Sequence, residues 1–232
     1  CDKISVWDYT TNYNGYFAPY PNIGILLQNV RYFADSNVIH LFEEDTPGTH
    51  TGDLAPLRAY LLSRAMWNPY MSDEEYDGHI RDFLEGYFGA GWKNVYRYIQ
   101  ILLETTAEKH IGCFDHVDTM LAEGFDDKAA LRLQPYQEIL ESHYLTDFLV
   151  RLDEVQALWD AVEAKASTPE ERERIIRARM SLDYLDLFCQ PHIKEKMTET
   201  EKKAHEEAFA GFLERKERFK QHVNLYTATT GY

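Results

Sequence analysis

Two short clusters hold the residues best suited to chemistry: Trp7-Asp8-Tyr9-Thr10 and Phe42-Glu43-Glu44-Asp45. Glycoside hydrolysis generally needs two carboxylates facing across a sugar, one donating a proton and the other acting as nucleophile or base. Glu43 and Glu44 are therefore the candidate catalytic residues. Side chains alternate along a strand, so these two point to opposite sides and at most one faces a common pocket. Leu41 shares a side with Glu43, and His40 and Phe42 share one with Glu44. Crowding of three acids predicts a raised pKa for at least one of them, which suits a proton donor and is also common at solvated loops. An acidic surface turn is the competing reading. A hard cation is a poorer one, because three consecutive acids lack the spaced ligands of a calcium loop.

Trp7, Asp8 and Tyr9 are candidate substrate-binding residues, with Trp7 and Tyr9 on one side of a strand and Asp8 on the other. An aromatic ring can stack on the apolar C–H face of a sugar while Asp8 or Tyr9 holds a hydroxyl. The plainer alternative has Trp7 packed between layers and Asp8 capping a loop. The loop 11–21 that follows is unusually aromatic, with Tyr13, Tyr16, Phe17 and Tyr20. It either covers a pocket or seals the chain against a missing half. Tyr13, together with His50 in the loop after the acids, completes the candidate substrate-binding set.

The elements that must position these residues read as a strand over Ile4–Tyr9, a helix over Ile23–Asp35 and a strand over Val38–Phe42. A strand, crossover helix and strand, with chemistry at the strand C-termini, is how an α/β barrel presents its active site. Asn22 and Asp53 are placed as N-caps of the first two helices, the second of which carries Leu54, Leu57 and Leu61. Ser72-x-x-Glu75 and Thr198-x-x-Glu201 are capping boxes. The Gly86-x-x-Gly89-x-Gly91 run follows a helix, so it is a helix–helix turn rather than a phosphate loop. Further helices are predicted over 115–123, 127–143, 146–166, 170–188 and 199–223, with Pro169 at a first helical position and Pro191 as a break. The fold class expected is mainly α with a short parallel β/α portion: the last two βα units of a (β/α)8 barrel, residues 1–70, then a helical domain, residues 71–232, divided near Asn68-Pro69. Two strands cannot close a barrel, so the remaining strands would lie upstream of Cys1 or in another chain.

A net charge of −15, with 39 acidic against 24 basic residues, opposes nucleic-acid and anionic-membrane partners and favours a neutral ligand or one held in a local basic pocket. No apolar run reaches the roughly 18 residues of a membrane span. Cys1, Cys113 and Cys189 form no C-x-x-C pair, which excludes a zinc ribbon or redox motif on spacing. The nine histidines are scattered without metal-ligand spacing, and no nucleophile elbow or Cys–His pairing is visible. No metal and no cofactor is predicted. Cys1 reads as the start of a fragment, with a lipidated mature N-terminus as the alternative.

The motifs Val6-Trp7-Asp8-Tyr9, Pro19–Asn22, Phe42-Glu43-Glu44, Leu61 to Trp67-Asn68-Pro69 and Tyr87-Phe88-Gly89-Ala90 occur in an order that resembles a bacterial domain-of-unknown-function family. That family is similar to glycoside hydrolases of the hexosaminidase and α-glucuronidase kind. Trp7, Tyr9, Phe42, Glu43, Trp67, Pro69, Tyr87 and Gly89 match its pattern, and the match covers residues 4–100. The resemblance implies the seventh and eighth strands of a catalytic barrel, a carbohydrate substrate, Glu43 and Trp7 lining the pocket, and a periplasmic, cell-surface or secreted location. The earlier strands, where related barrels hold the proton donor, are absent, so this chain alone is expected to be inactive. The alternative function is a non-catalytic carbohydrate-binding protein or a helical interaction scaffold.

Overall fold

A computed structural model describes residues 3–13, 15–45, 53–113, 145–188 and 198–219. His50, the helices expected over 115–123 and 127–143, the Pro191 break and the chain's first residue lie outside them. Strand β1, Ile4–Tyr9, is built from good strand formers and pairs in parallel with β2, Val38–Glu44. The register sets Val6 beside Leu41, Trp7 beside Phe42, Asp8 beside Glu43 and Tyr9 beside Glu44, with one irregularity between Ile4 and Ser5. The crossover is helix α1, Leu26–Asp35, which buries Leu26, Leu27 and Val30. Asn37, at φ 61, turns the chain into β2, a backbone region that Asn tolerates better than most residues.

The other elements among the described residues are helical: α2 Ala55–Trp67, α3 Asp73–Phe88, a short 3-10 turn Gly89–Gly91, α4 Trp92–Thr106, α5 Thr146–Leu149, α6 Leu152–Ala164, α7 Pro169–Phe188 and α8 Glu199–Arg218. The Ser72 hydroxyl accepts the Glu75 N–H at the start of α3, where three acids face the positive helix end. Thr198 and Glu201 complete a reciprocal capping box at α8. The glycine run is the expected helix–helix turn. Gly91 leaves no room for a side chain, since a Cβ there would lie 2.9 Å from Val162 Cγ1.

One hydrophobic core, which includes the fully shielded Leu57, Leu61, Leu84, Val95 and Val155, runs from Tyr13 to Phe219. The aromatic loop belongs to that core rather than to an open rim. Phe17 stacks on Tyr184, with centroids 5.9 Å apart, and meets the edge of Phe212 at 5.5 Å. Its carbonyl accepts the Ser181 hydroxyl. The loop therefore ties the β/α portion to α7 and α8. Arg31 adds a second tie, donating from α1 to the carbonyls of Pro69 and Met71 in the α2–α3 turn.

Three local expectations are corrected. Asn22 does not cap α1, whose N-cap position is Ile25; its amide instead donates to the Thr10 carbonyl and accepts from Arg58. Asp53 does not cap α2 either. The cap position is Leu54 at φ 50, and the Asp53 carboxylate is engaged by the Tyr20 N–H and the Tyr98 hydroxyl. The helix expected over 146–166 is broken, with α5 ending at Leu149 and α6 starting at Leu152.

Candidate functional site

Parallel pairing brings the C-terminal ends of β1 and β2 together, and alternation sorts the candidate residues onto two faces. Trp7, Tyr9, Phe42 and Glu44 share one face. Trp7 donates from Nε1 to Glu44 Oε2 at 2.6 Å, and its ring meets Phe42 edge-on at 4.8 Å. This face is open: Trp7 is 63% exposed, Phe42 47% and Tyr9 42%. Tyr9 continues edge-on to the buried Tyr13 at 5.4 Å. Burial, and after it the adjoining Glu44 carboxylate, push the Tyr13 hydroxyl pKa far up, so it stays a neutral phenol. Trp7, Tyr9, Tyr13 and Glu44 thus form one aromatic and carboxylate group.

Asp8 and Glu43 share the opposite face, which turns toward the helices; Leu41 on this face packs against the core. They line a cavity of about 310 Å³ with Asn29 and Leu26 of α1, Leu62 of α2 and His110 beyond α4. Burial raises the Glu43 pKa to about 7, and the neighbouring Asp8 charge adds to the rise. The raised acid predicted from the sequence is therefore present, but its charged neighbour is Asp8 across the sheet rather than Glu44 beside it in the chain. Glu43 and Trp7, which the resemblance placed in one pocket, stand on opposite faces.

Beneath both strand ends lies a buried polar cluster that the sequence reading did not identify. Arg58, with no solvent exposure, donates to Asp45 Oδ2 at 3.1 Å, Asn22 Oδ1 at 3.2 Å and the Asp53 carbonyl at 3.0 Å. Asp53 is also buried, and its pKa rises to about 6 because desolvation outweighs the stabilising Arg58 charge and hydrogen bonds. Asn22 carries the connection to Thr10 at the end of β1, and Asp45 carries it to the end of β2. This cluster holds the tips of both strands against α2 and α4. An arginine inside the otherwise apolar stripe Leu54, Leu57, Leu61, Leu62, Ala65 was the available signal.

Chemically, the open face offers a ring to stack on and a carboxylate to orient a hydroxyl. The helix-facing side offers a half-buried carboxyl pair in which Glu43 exchanges a proton near neutrality. Among the described residues no group of three or more potential ligands is arranged to hold a metal ion. No described helix is long and apolar enough to cross a membrane.

A family model described as "Domain of unknown function (DUF4838)" matches residues 1–100, from β1 into α4. That stretch contains both faces of the sheet and the buried cluster. No curated protein and no solved structure gives a match.

Proposed function

We propose that residues 1–70 are the closing part of a β/α barrel in a glycoside-hydrolase-like, carbohydrate-active protein, with Trp7, Tyr9 and Glu44 forming one wall of the sugar site. The observation that carries this reading is the Trp7–Glu44 pair, 2.6 Å apart on an open sheet face at the C-terminal ends of two parallel strands. Parallel sheets ordinarily have both faces covered and several strands, so a two-stranded parallel sheet with Trp7 and Phe42 exposed calls for partner strands. Barrel closure supplies them and removes the open edges. The helices α3–α8 then act as a buttress behind the wall, and a periplasmic, cell-surface or secreted location accompanies this reading.

On the sugar side Trp7 stacks, Tyr9 shapes the subsite and Glu44 faces positive charge developing on the sugar ring. Glu44 is the only carboxylate on that face among the described residues. Two strands and one acid make a wall and not a complete active site, so this chain alone binds without turnover. The same single acid favours non-catalytic carbohydrate binding as the second reading.

The test is calorimetric titration of the 232-residue chain with neutral and charged oligosaccharides. Trp7→Ala is expected to weaken binding by about 1–2 kcal/mol, in line with aromatic contact energies. Trp7→Phe, which keeps a ring but drops the N–H to Glu44, is expected to recover part of that loss. Affinity unchanged in Trp7→Ala makes the ring a packing residue and rejects the wall.

A further inference from the structure

On the far side of the sheet from that wall, we propose, the cavity lined by Asp8 and Glu43 binds a cationic, amine-bearing monosaccharide and rejects anionic ones. Only the sugar half of this statement rests on the proposed function; the charge preference stands on the cavity itself. Its volume, about 310 Å³, is at the lower end of small-ligand pockets. The wall residues come from the ends of β1 and β2, the loop before α1, α1 itself, α2, and the segment after α4. Ile25, Leu26 and Leu62 contribute apolar lining, and Asp8, Glu43 and Asn29 contribute polar lining.

The sign of the charge is what selects the ligand. Among the described residues, the titratable groups that line the cavity with Glu43 are Asp8 and Tyr9 from β1, Tyr20 from the loop, and His110 and Cys113 from the segment after α4. The lining residues of α1 and α2 do not titrate, and among the described residues none that lines the cavity is lysine or arginine. Arg58 is not among the described lining residues, and three of its N–H groups already serve Asp45, the lining residue Asn22 and the Asp53 carbonyl. An anion entering here meets the Asp8 and Glu43 carboxyl groups, with no lysine or arginine among the described lining residues to offset them. An ammonium relieves the repulsion between Asp8 and Glu43 and donates charge-assisted hydrogen bonds to them. Glu43 takes up a proton near neutrality in the empty cavity, through burial first and the Asp8 charge second. A cation must release that proton, so its affinity rises with pH.

The test uses three ligands on one ring: glucose, its uronic acid, and the amino-deoxy analogue with a primary amine in place of the terminal hydroxyl. Titrated into the full chain at neutral pH, the amine is expected to bind at least tenfold tighter than glucose, with no detectable binding of the uronate. Its affinity is expected to increase as pH is raised from about 6 to about 8, with proton release measurable by varying the buffer. Asp8→Asn and Glu43→Gln are each expected to shrink the amine preference. Equal affinity for the three sugars, a preference for the uronate, or a preference that survives both substitutions together overturns the inference. Loss of the charge preference with Trp7-dependent oligosaccharide affinity intact defeats this cavity and leaves the wall. The converse result defeats the wall and leaves the cavity.

Discussion

Arg58 and Asp45 form an ion pair 3.1 Å long in which the guanidinium has no solvent exposure while the carboxylate keeps 26%. The charge is shielded only because several oxygens share it: Asp45, the Asn22 side chain and the Asp53 carbonyl. Removing one partner of a buried pair is far more damaging than removing a surface charge. Arg58→Met is therefore expected to cost about 3–5 kcal/mol of unfolding free energy, measured by urea denaturation. Arg81→Met, which breaks the exposed pair with Asp77, is expected to cost less than about 1 kcal/mol. Equal losses in the two variants would show that the Arg58 cluster does not anchor the strand tips.

Glu43 and Asp53 both hold their protons more tightly folded than unfolded, to about 7 from 4.5 and to about 6 from 3.8. The folded state then binds more protons across that interval, so stability falls as pH rises. Their contribution is complete below about pH 4 and is lost as pH climbs through 6 and 7. Glu43→Gln removes one of the two groups. Between about pH 5 and pH 8 the wild type is expected to lose on the order of 1–2 kcal/mol more than this variant, a figure reduced for Glu43's partial access to water. Urea denaturation at the two pH values decides it, and parallel losses in both proteins would assign the pH dependence to other groups.

Local chemistry made the frame legible. The β-branched and aromatic run Ile4–Tyr9 specified β1 to the residue, and the Ser72 and Thr198 caps fixed two helix starts. The pairing of Asp8 with Glu43 was not legible, because register between strands about 30 residues apart depends on tertiary packing. Asn22 and Asp53 misled for a related reason. Both have ideal capping side chains, yet the buried Arg58 and the Tyr20 N–H compete for the same oxygens and win. The Thr11–Pro21 segment had the composition of a surface loop, and only its packing partners on α7 and α8 reveal Phe17 as core.

Two glycines separate close packing from simple helix propensity. At Gly91 an added Cβ would lie 2.9 Å from Val162 Cγ1 and 3.1 Å from Val162 Cα, so the backbone of α6 must shift. At Gly78, in the middle of α3, no heavy atom lies within 4 Å of the added Cβ. Gly91→Ala is expected to destabilise by about 1–3 kcal/mol through overpacking. Gly78→Ala is expected to stabilise by about 0.5–1 kcal/mol, because alanine restricts the unfolded chain and favours helix. The two variants differ by the same single methyl group, so opposite signs in urea denaturation would locate the tight contact between the glycine turn and α6. A neutral Gly91→Ala would mean that this junction is looser than the Val162 contact implies.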